Sequence, residues 1–310
     1  MSNRPCILIA GAAGKVGREL RRSLADAGEI ICHDCDTVDL AEPDQVRAMV
    51  RSAAPQIILN AAAYTAVDRA ESEPEAAIAV NSTAPRVLAE EARRCNALFV
   101  HYSTDYVFDG SKQGPWIETD KPNPLSVYGS TKLAGEEAVQ QVGGRYLIFR
   151  TSWVYGPHGR NFLLTMLRLA RERDELSIVD DQFGAPTSSI ELADVTRTIV
   201  SGVLEGRFGS TENWAGLYHM TCSGSTSWCG FARAIFARAD SLLHAKVPAV
   251  RPISSSGYIT RAKRPLNSVL SNDKLYARFG AQLAPWEAAL DVVISRLAGE
   301  APEERQVAEL

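Results

Sequence analysis

No apolar run in this 310-residue chain approaches the roughly 20 residues that a bilayer-spanning helix needs. Nor does the chain open on a basic region followed by a long hydrophobic stretch and a cleavage site. It enters a short apolar strand, "CILIAGAAG", almost at once. These absences argue against a membrane partner and point to a cytoplasmic protein. An excess of positive charge is also missing. The formal net charge is −4, so there is no basic footprint for nucleic acid. Cysteine is sparse and scattered, six in all: Cys6, Cys32, Cys35, Cys95, Cys222 and Cys229. At this length that excludes a disulfide scaffold. Cys32 and Cys35 make a C-x-x-C, but no second pair completes a metal site, so they read as small residues of a strand end. Internal repeats and low-complexity stretches are absent.

What is present has the texture of an ordinary globular protein, 45% hydrophobic and 23% charged. The first half alternates. "CILIAG", "EIICHD", "QIILNAAA", "ALFVHYST" and "RYLIFRTS" read as five short buried strands. Between them, "KVGRELRRSLADAG" reads as a helix stopped by Gly28, and "EPDQVRAMVRSAAP" as a helix with Pro43 near its start. A third helical stretch is opened by Pro74 and must bend or break at Pro85. Apolar strands alternating with helices predict an α/β fold, a Rossmann-type doubly wound parallel sheet covered on both faces. The texture changes near Trp153. The expected division is 1–152 as a dinucleotide-binding domain, with parts of 186–205 added, and 153–310 as a mainly substrate-binding domain. In the second half "NFLLTMLRLARERD", "IELADVTRTIVSGVLEG" and "SWCGFARAIFARAD" read as helices and "GLYHMT" as a strand. Proline, serine and glycine between Ala249 and Asn267 suggest irregular loops, and "EAPEERQV" a frayed polar end.

"GAAGKVG" places Gly11, Gly14 and Gly17 between the first strand and its helix. Glycines there let backbone approach a pyrophosphate, and the helix N-terminus offers free N–H groups and a positive dipole end. The spacing is G-x-x-G-x-x-G, and its position after a strand and before a helix supports a dinucleotide. Asp34 ends the second strand, where a carboxylate bonds adenosine ribose hydroxyls and favours NAD(H); Arg18 nearby could serve a 2′-phosphate. Asp39 and Leu40 fall where the chain passes over the adenine. The third strand ends in "NAAAYTAVD": Ala61, Ala62 and Ala63 are small enough for a cofactor to lie against them, with Tyr64, Thr65 and Val67 facing the cleft.

The fourth strand brings Ser103, Thr104 and Asp105 to the same sheet edge. Tyr128 and Lys132 in "SVYGSTKLAGE" lie one helical turn apart on one face. Together they make a working set for carbonyl reduction. Tyr128 gives the proton as general acid, Lys132 stabilises the phenolate and pulls its pKa down, and Thr104 bonds the carbonyl oxygen. Tyr-x-x-x-Lys alone is a weak signal; the glycine loop and the Ser-Thr pair give it meaning.

The order glycine loop, "NAAAYTAVD", "STDYVFDG", Y-x-x-x-K, "RTSWVYG" resembles the extended short-chain dehydrogenase/reductases. "NAAAYTAVDRAESEP", "HYSTDYVFDG", "PLSVYGSTKLAGE", "LIFRTSWVYG", "DQFGAPTS" and "RPLNSVLSNDKL" look like their dTDP-4-dehydrorhamnose reductase branch, from about Ile7 to Trp286. The resemblance implies NADH- or NADPH-dependent reduction of a dTDP-linked 4-keto-6-deoxyhexose, giving dTDP-L-rhamnose. It implies Tyr128, Lys132 and Thr104 as catalytic residues, and Gly14, Lys15, Val16, Asp34, Asp39, Leu40 and Ala63–Thr65 as cofactor positions. For the sugar nucleotide it implies Thr104, Asp105 and Trp153, with Arg264 suited to the diphosphate. Some such relatives form metal-bridged dimers. Glu19 and Glu191 lie in the matching regions, but Ile190 stands where an acid is expected, so Mg2+ is not supported, and monomer and homodimer both stay open. Other readings within the fold are 4-epimerases and 4,6-dehydratases. Tyr106 follows Thr104–Asp105 where dehydratases carry a second acid. A non-catalytic cofactor-binding subunit is the reading from another class; the Tyr, Lys and Thr that its loss of activity would remove are all present.

Overall fold

The structure is a computed structural model, and it describes residues 4–243 and 247–299. Six parallel strands form the central sheet: β1 (Cys6–Ala10), β2 (Glu29–His33), β3 (Ile57–Asn60), β4 (Leu98–Thr104), β5 (Tyr146–Thr151) and β6 (Gly216–His219). Their spatial order is β6-β5-β4-β3-β1-β2. The chain leaves β1 to one side for β2, then returns to β3 on the other. A crevice opens at that switch, outside the carboxyl ends of the strands.

Each strand feeds two cores by simple alternation. Ile7, Ile9, Ile57, Leu59, Leu98, Val100, Leu147 and Phe149 point to one face. Leu8, Ile58, Phe99 and Ile148 point to the other. The second face is closed by α2 (Pro43–Ala53) and α3 (Ala84–Arg94), through Val46, Met49, Val50, Val87 and Leu88. The first is closed by α1 (Lys15–Ser23) and by the later helices α5 (Phe162–Glu172), α6 (Ser189–Leu204), α7 (Trp228–Arg238) and α8 (Trp286–Gly299). The stretch with Tyr128 and Lys132 forms α4 (Val127–Val142), capped by the Ser126 hydroxyl, which accepts from the Gly129 N–H at 3.2 Å. Glu136 of α4 and Arg150 of β5 are buried and paired at 2.6 Å, tying this helix to the sheet. Losing one partner of such a pair costs about 3–5 kcal/mol.

Several local expectations change. The first helix ends at Ser23 rather than at Gly28. Gly28 is required for another reason: a Cβ there would sit 2.3 Å from the Pro5 carbonyl oxygen, where the chain enters β1. Pro85 does break its helix. The turn Ala79–Thr83 widens to π geometry before α3 begins, because Pro85 cannot donate to the Asn81 carbonyl. Ala249–Ile253, expected as loop, is a strand paired in parallel with Glu175–Val179. Pro252 is tolerated because the pair is an isolated two-stranded edge. The strand from "GLYHMT" joins the main sheet beside β5, so chain from beyond residue 152 completes the first layer. The polar stretch from Glu300 lies outside the described residues. No helix among the described residues is long and apolar enough to cross a membrane.

Candidate active site

A cleft of about 580 Å³ lies over the carboxyl ends of β1, β3, β4 and β5. Its first wall is the glycine loop. Gly11 has φ of +79°, and a Cβ there would lie 2.6 Å from the Ala62 nitrogen, so loop and third strand end touch through bare backbone. Gly14 starts α1 with no side chain capping it, which leaves the first N–H groups of the helix free towards the cleft. This cradle fits a dinucleotide diphosphate. Lys15 leans across it and donates to the Arg160 carbonyl at 3.1 Å. Burial lowers its pKa.

The end expected to take the adenosine is formed by Asp34, Asp39 and Leu40, with His33, Cys35 and Val38. Asp34 Oδ1 accepts from the Asp36 N–H at 3.1 Å, a turn that fixes the carboxylate after β2. Val16, Ala62, Ala63, Tyr64, Thr65 and Val67 line the middle. The other, candidate catalytic end holds Ser103, Thr104, Asp105, Tyr128, Lys132 and Trp153.

Two expected contacts do not line the cleft. Gly17 lies beneath the loop; a Cβ there would meet the Gly11 oxygen at 2.1 Å, so its role is to let α1 pack against the turn. Arg264 sits at 2.6 Å from Asp68 in an ion pair and also bonds the Tyr106 side chain. Its guanidinium is thus partnered within the protein rather than lining the cleft. The candidate metal carboxylates have protein partners as well. Glu19 accepts from Arg22 and Arg296, and Glu191 accepts from the Ala284 N–H.

The electrostatics of the catalytic end follow from burial. Loss of solvent pushes Tyr128 up to about 12, and Asp105 adds to this; a hydrogen bond with Thr104 pulls the other way. The expected depression of Tyr128 by Lys132 is not found. Lys132 Nζ donates instead to the Tyr102 carbonyl at 2.7 Å. Burial lowers Lys132 to about 8, against the pull of Glu136. Asp105 is raised to about 6 by burial, despite hydrogen bonds from Ser268 and Thr104, and its Oδ2 has no partner. Ser103 turns its hydroxyl to Glu136 at 2.5 Å and supports the helix from below.

Sequence reasoning missed three contributors. Asn81, fully buried in the π turn, accepts from the Tyr64 N–H at 2.8 Å and donates to the Tyr64 carbonyl at 3.1 Å and to Thr131 at 3.2 Å. One amide thus joins the cofactor strand end to the catalytic helix. Pro85, four residues on, was the available signal. Trp228 stacks on Trp153 with centroids 3.5 Å apart and planes within 7°. Gly184 also packs against it, and a Cβ there would lie 2.5 Å from the indole. Trp153 is held by both with a left-handed φ of +46°, a strained backbone that the packing sustains.

The RmlD substrate binding domain family matches residues 5–298. The dTDP-4-dehydrorhamnose reductase of Burkholderia thailandensis is 49% identical over 94% of this chain and 98% of its own length. That of Escherichia coli K12 is 44% identical over 94% and 97%. A crystal structure of the Bacillus anthracis dTDP-4-dehydrorhamnose reductase in complex with NADP is similar with a TM-score of 0.85, at 33% identity over 94% of this chain and 99% of that one. With matches of this length the chain belongs to the RmlD substrate binding domain family, among relatives that are dTDP-4-dehydrorhamnose reductases.

Proposed function

We propose that the cleft reduces the 4-keto group of dTDP-4-dehydro-6-deoxy-L-mannose (dTDP-6-deoxy-L-lyxo-4-hexulose) with NADH or NADPH, giving dTDP-L-rhamnose. One observation carries this reading: Thr104, Tyr128 and Lys132 stand at one end of the same cleft whose other end is the glycine loop. A reduced nicotinamide, when bound, supplies the hydride for the carbonyl carbon. The backbone from Gly11 to Val16 holds the diphosphate, and Asp34 takes the ribose hydroxyls. Thr104, whose hydroxyl rests on Asp105 Oδ1 at 3.0 Å, turns it to the carbonyl oxygen of the bound substrate and polarises it. Tyr128, already bonded to Thr104, delivers the proton that the new alkoxide needs. A phenol near 12 is fully protonated at neutral pH, as a proton donor must be. Lys132, fixed by the Tyr102 carbonyl at 2.7 Å and lowered to about 8 by burial, bonds the nicotinamide ribose from the same helix face. Trp153 and Val67 flank the sugar, and the free Oδ2 of Asp105 accepts from a sugar hydroxyl.

The test is oxidation of NADH and NADPH by the purified protein with this 4-keto sugar nucleotide. The reading expects turnover that stops when either partner is omitted. Tightly held, stoichiometric NAD without net oxidation would overturn it in favour of an epimerase-type cycle. Cofactor binding without any turnover would overturn it in favour of a binding subunit.

A further inference from the structure

Below the cleft, Lys132 meets buried polar groups that the reduction itself does not use. Its Nζ faces His101 Nε2 at 3.5 Å. The other ring nitrogen, Nδ1, lies 3.1 Å from Asn60 Nδ2. Asn60 Oδ1 accepts from the Ala62 N–H at 3.2 Å, and Ala62 lines the cofactor cleft. His101 and Asn60 are 0% and 1% exposed, so water does not substitute for any of these contacts.

The chain has a direction. With Oδ1 on the Ala62 N–H, the Asn60 amide presents its NH2 to His101 Nδ1. That nitrogen must then be the bare acceptor, and the neutral ring carries its hydrogen on Nε2. The reversed amide would set the Ala62 N–H against an NH2, two donors without an acceptor. The backbone of the cofactor strand end therefore selects the histidine tautomer. Burial, with the Lys132 charge second, keeps His101 neutral by pushing its pKa well below the usual value. The Nε2–H points at Lys132. A separation of 3.5 Å is long for a hydrogen bond and suits two donors facing each other. When Lys132 is an amine, its lone pair accepts from that N–H.

We infer that His101 is a positioning residue for Lys132: held as its Nε2–H tautomer by Asn60 and Ala62, it opposes the ammonium form and brings down, further than burial does, the pH at which the lysine loses its charge. The other groups about Lys132 do not supply this effect. Glu136 on the same helix favours the ammonium but is shared with Arg150 of β5 and Ser103. Tyr128 on that helix bonds Thr104. The Tyr102 hydroxyl of β4 turns away to Thr196, and Asp105 engages Thr104 and Ser268.

This inference rests on Lys132 acting in the proposed reduction, but its first test does not. In protein carrying 15N-labelled histidine, long-range proton–nitrogen correlations report each ring's tautomer. The His101 ring is assigned through its contact with the stacked Phe99 ring. A bare Nδ1 and a protonated Nε2 are expected; a protonated Nδ1 would overturn the inference whether or not the protein turns over. The second test is the pH profile of kcat/KM for His101→Phe, which keeps a ring against Phe99 and removes the facing N–H. The alkaline limb should move up by about one pH unit while cofactor affinity is kept. A limb that stays or moves down would overturn the inference. If His101→Phe does not fold, Asn60→Asp reverses the acceptor pattern and should also move the limb up; an unmoved limb there would count equally against it.

Discussion

At the adenosine end of the cleft the chain presents mostly backbone. The first turn of α1 offers N–H groups beside the bare backbone of Gly11 and Gly14, and two carboxylates, Asp34 and Asp39, stand near the surface. At the catalytic end it presents side chains taken out of water: Thr104, Asp105 and Lys132 are 5%, 2% and 2% exposed. In the proposed reading the first end recognises by shape, and a single added Cβ disturbs it more than a modest change of pH. The second works by charge state, through residues whose pKa values burial shifts. A diphosphate is always charged and needs only a preformed cradle. A carbonyl acquires charge during the reaction and needs groups held ready to give a proton.

The strongest attempt to break this contrast is Tyr128→Phe. It removes the proton donor and leaves the cradle, so kcat should fall by about 10²–10⁴-fold with the cofactor dissociation constant nearly unchanged. A near-normal rate would take Tyr128 out of the mechanism. Gly11→Ala should do the reverse. Its Cβ meets the Ala62 backbone, and its φ is left-handed, so a loss of at least about 2 kcal/mol of stability is expected. Cofactor affinity should weaken while the pH profile stays put. Thermal melting and cofactor titration check both halves of that statement.

Asp105→Asn tests the electrical character of the catalytic end. Its folded pKa of about 6 lies above the ordinary aspartate value of 3.8. The folded state therefore binds the extra proton, and stability falls as pH rises through the window between those two values. The neutral amide removes that penalty and should raise stability at pH 7–8 by about 1–3 kcal/mol, with little gain at pH 4. Melting curves at the two pH values decide it; an equal effect at both would contradict a buried carboxylate. The smallest effect is expected at the exposed end. Asp34→Asn should shift preference towards NADPH by about tenfold, near 1.4 kcal/mol, with kcat hardly altered. An unchanged NADPH/NADH ratio would remove Asp34 from cofactor selection.

How much of this could be read in advance follows the same division. Short apolar strands feeding two faces, such as Ile7, Leu8 and Ile9, announce a doubly covered parallel sheet through local pattern alone. Glycine spacing and the Tyr128–Lys132 interval are local as well, and Gly11, Gly14, Tyr128 and Lys132 all line the one cleft. Partner choice across long separations was not legible. Arg264 has the chemistry of a phosphate ligand, but Asp68, on the short helix Val67–Ala70, neutralises it. Asn60 and His101 look in the sequence like ordinary polar residues of strands. Only the register of β3 with β4, which sets Asn60 beside His101, makes them a chain. Trp228 carries no motif and is recruited by folding to hold Trp153. The strand Ala249–Ile253 is hidden by Pro252 and by partly exposed residues on both sides of the alternation.

The central claim is that hydride enters at C4 of the sugar while Tyr128 closes the alkoxide. It is tested most directly with the 4-keto sugar nucleotide and reduced cofactor carrying deuterium at the transferring position. Proton NMR of the product should show one deuterium, at C4 and on a single face, matched by one oxidised cofactor per product. Product without deuterium at C4, or deuterium at another ring carbon, would contradict the account.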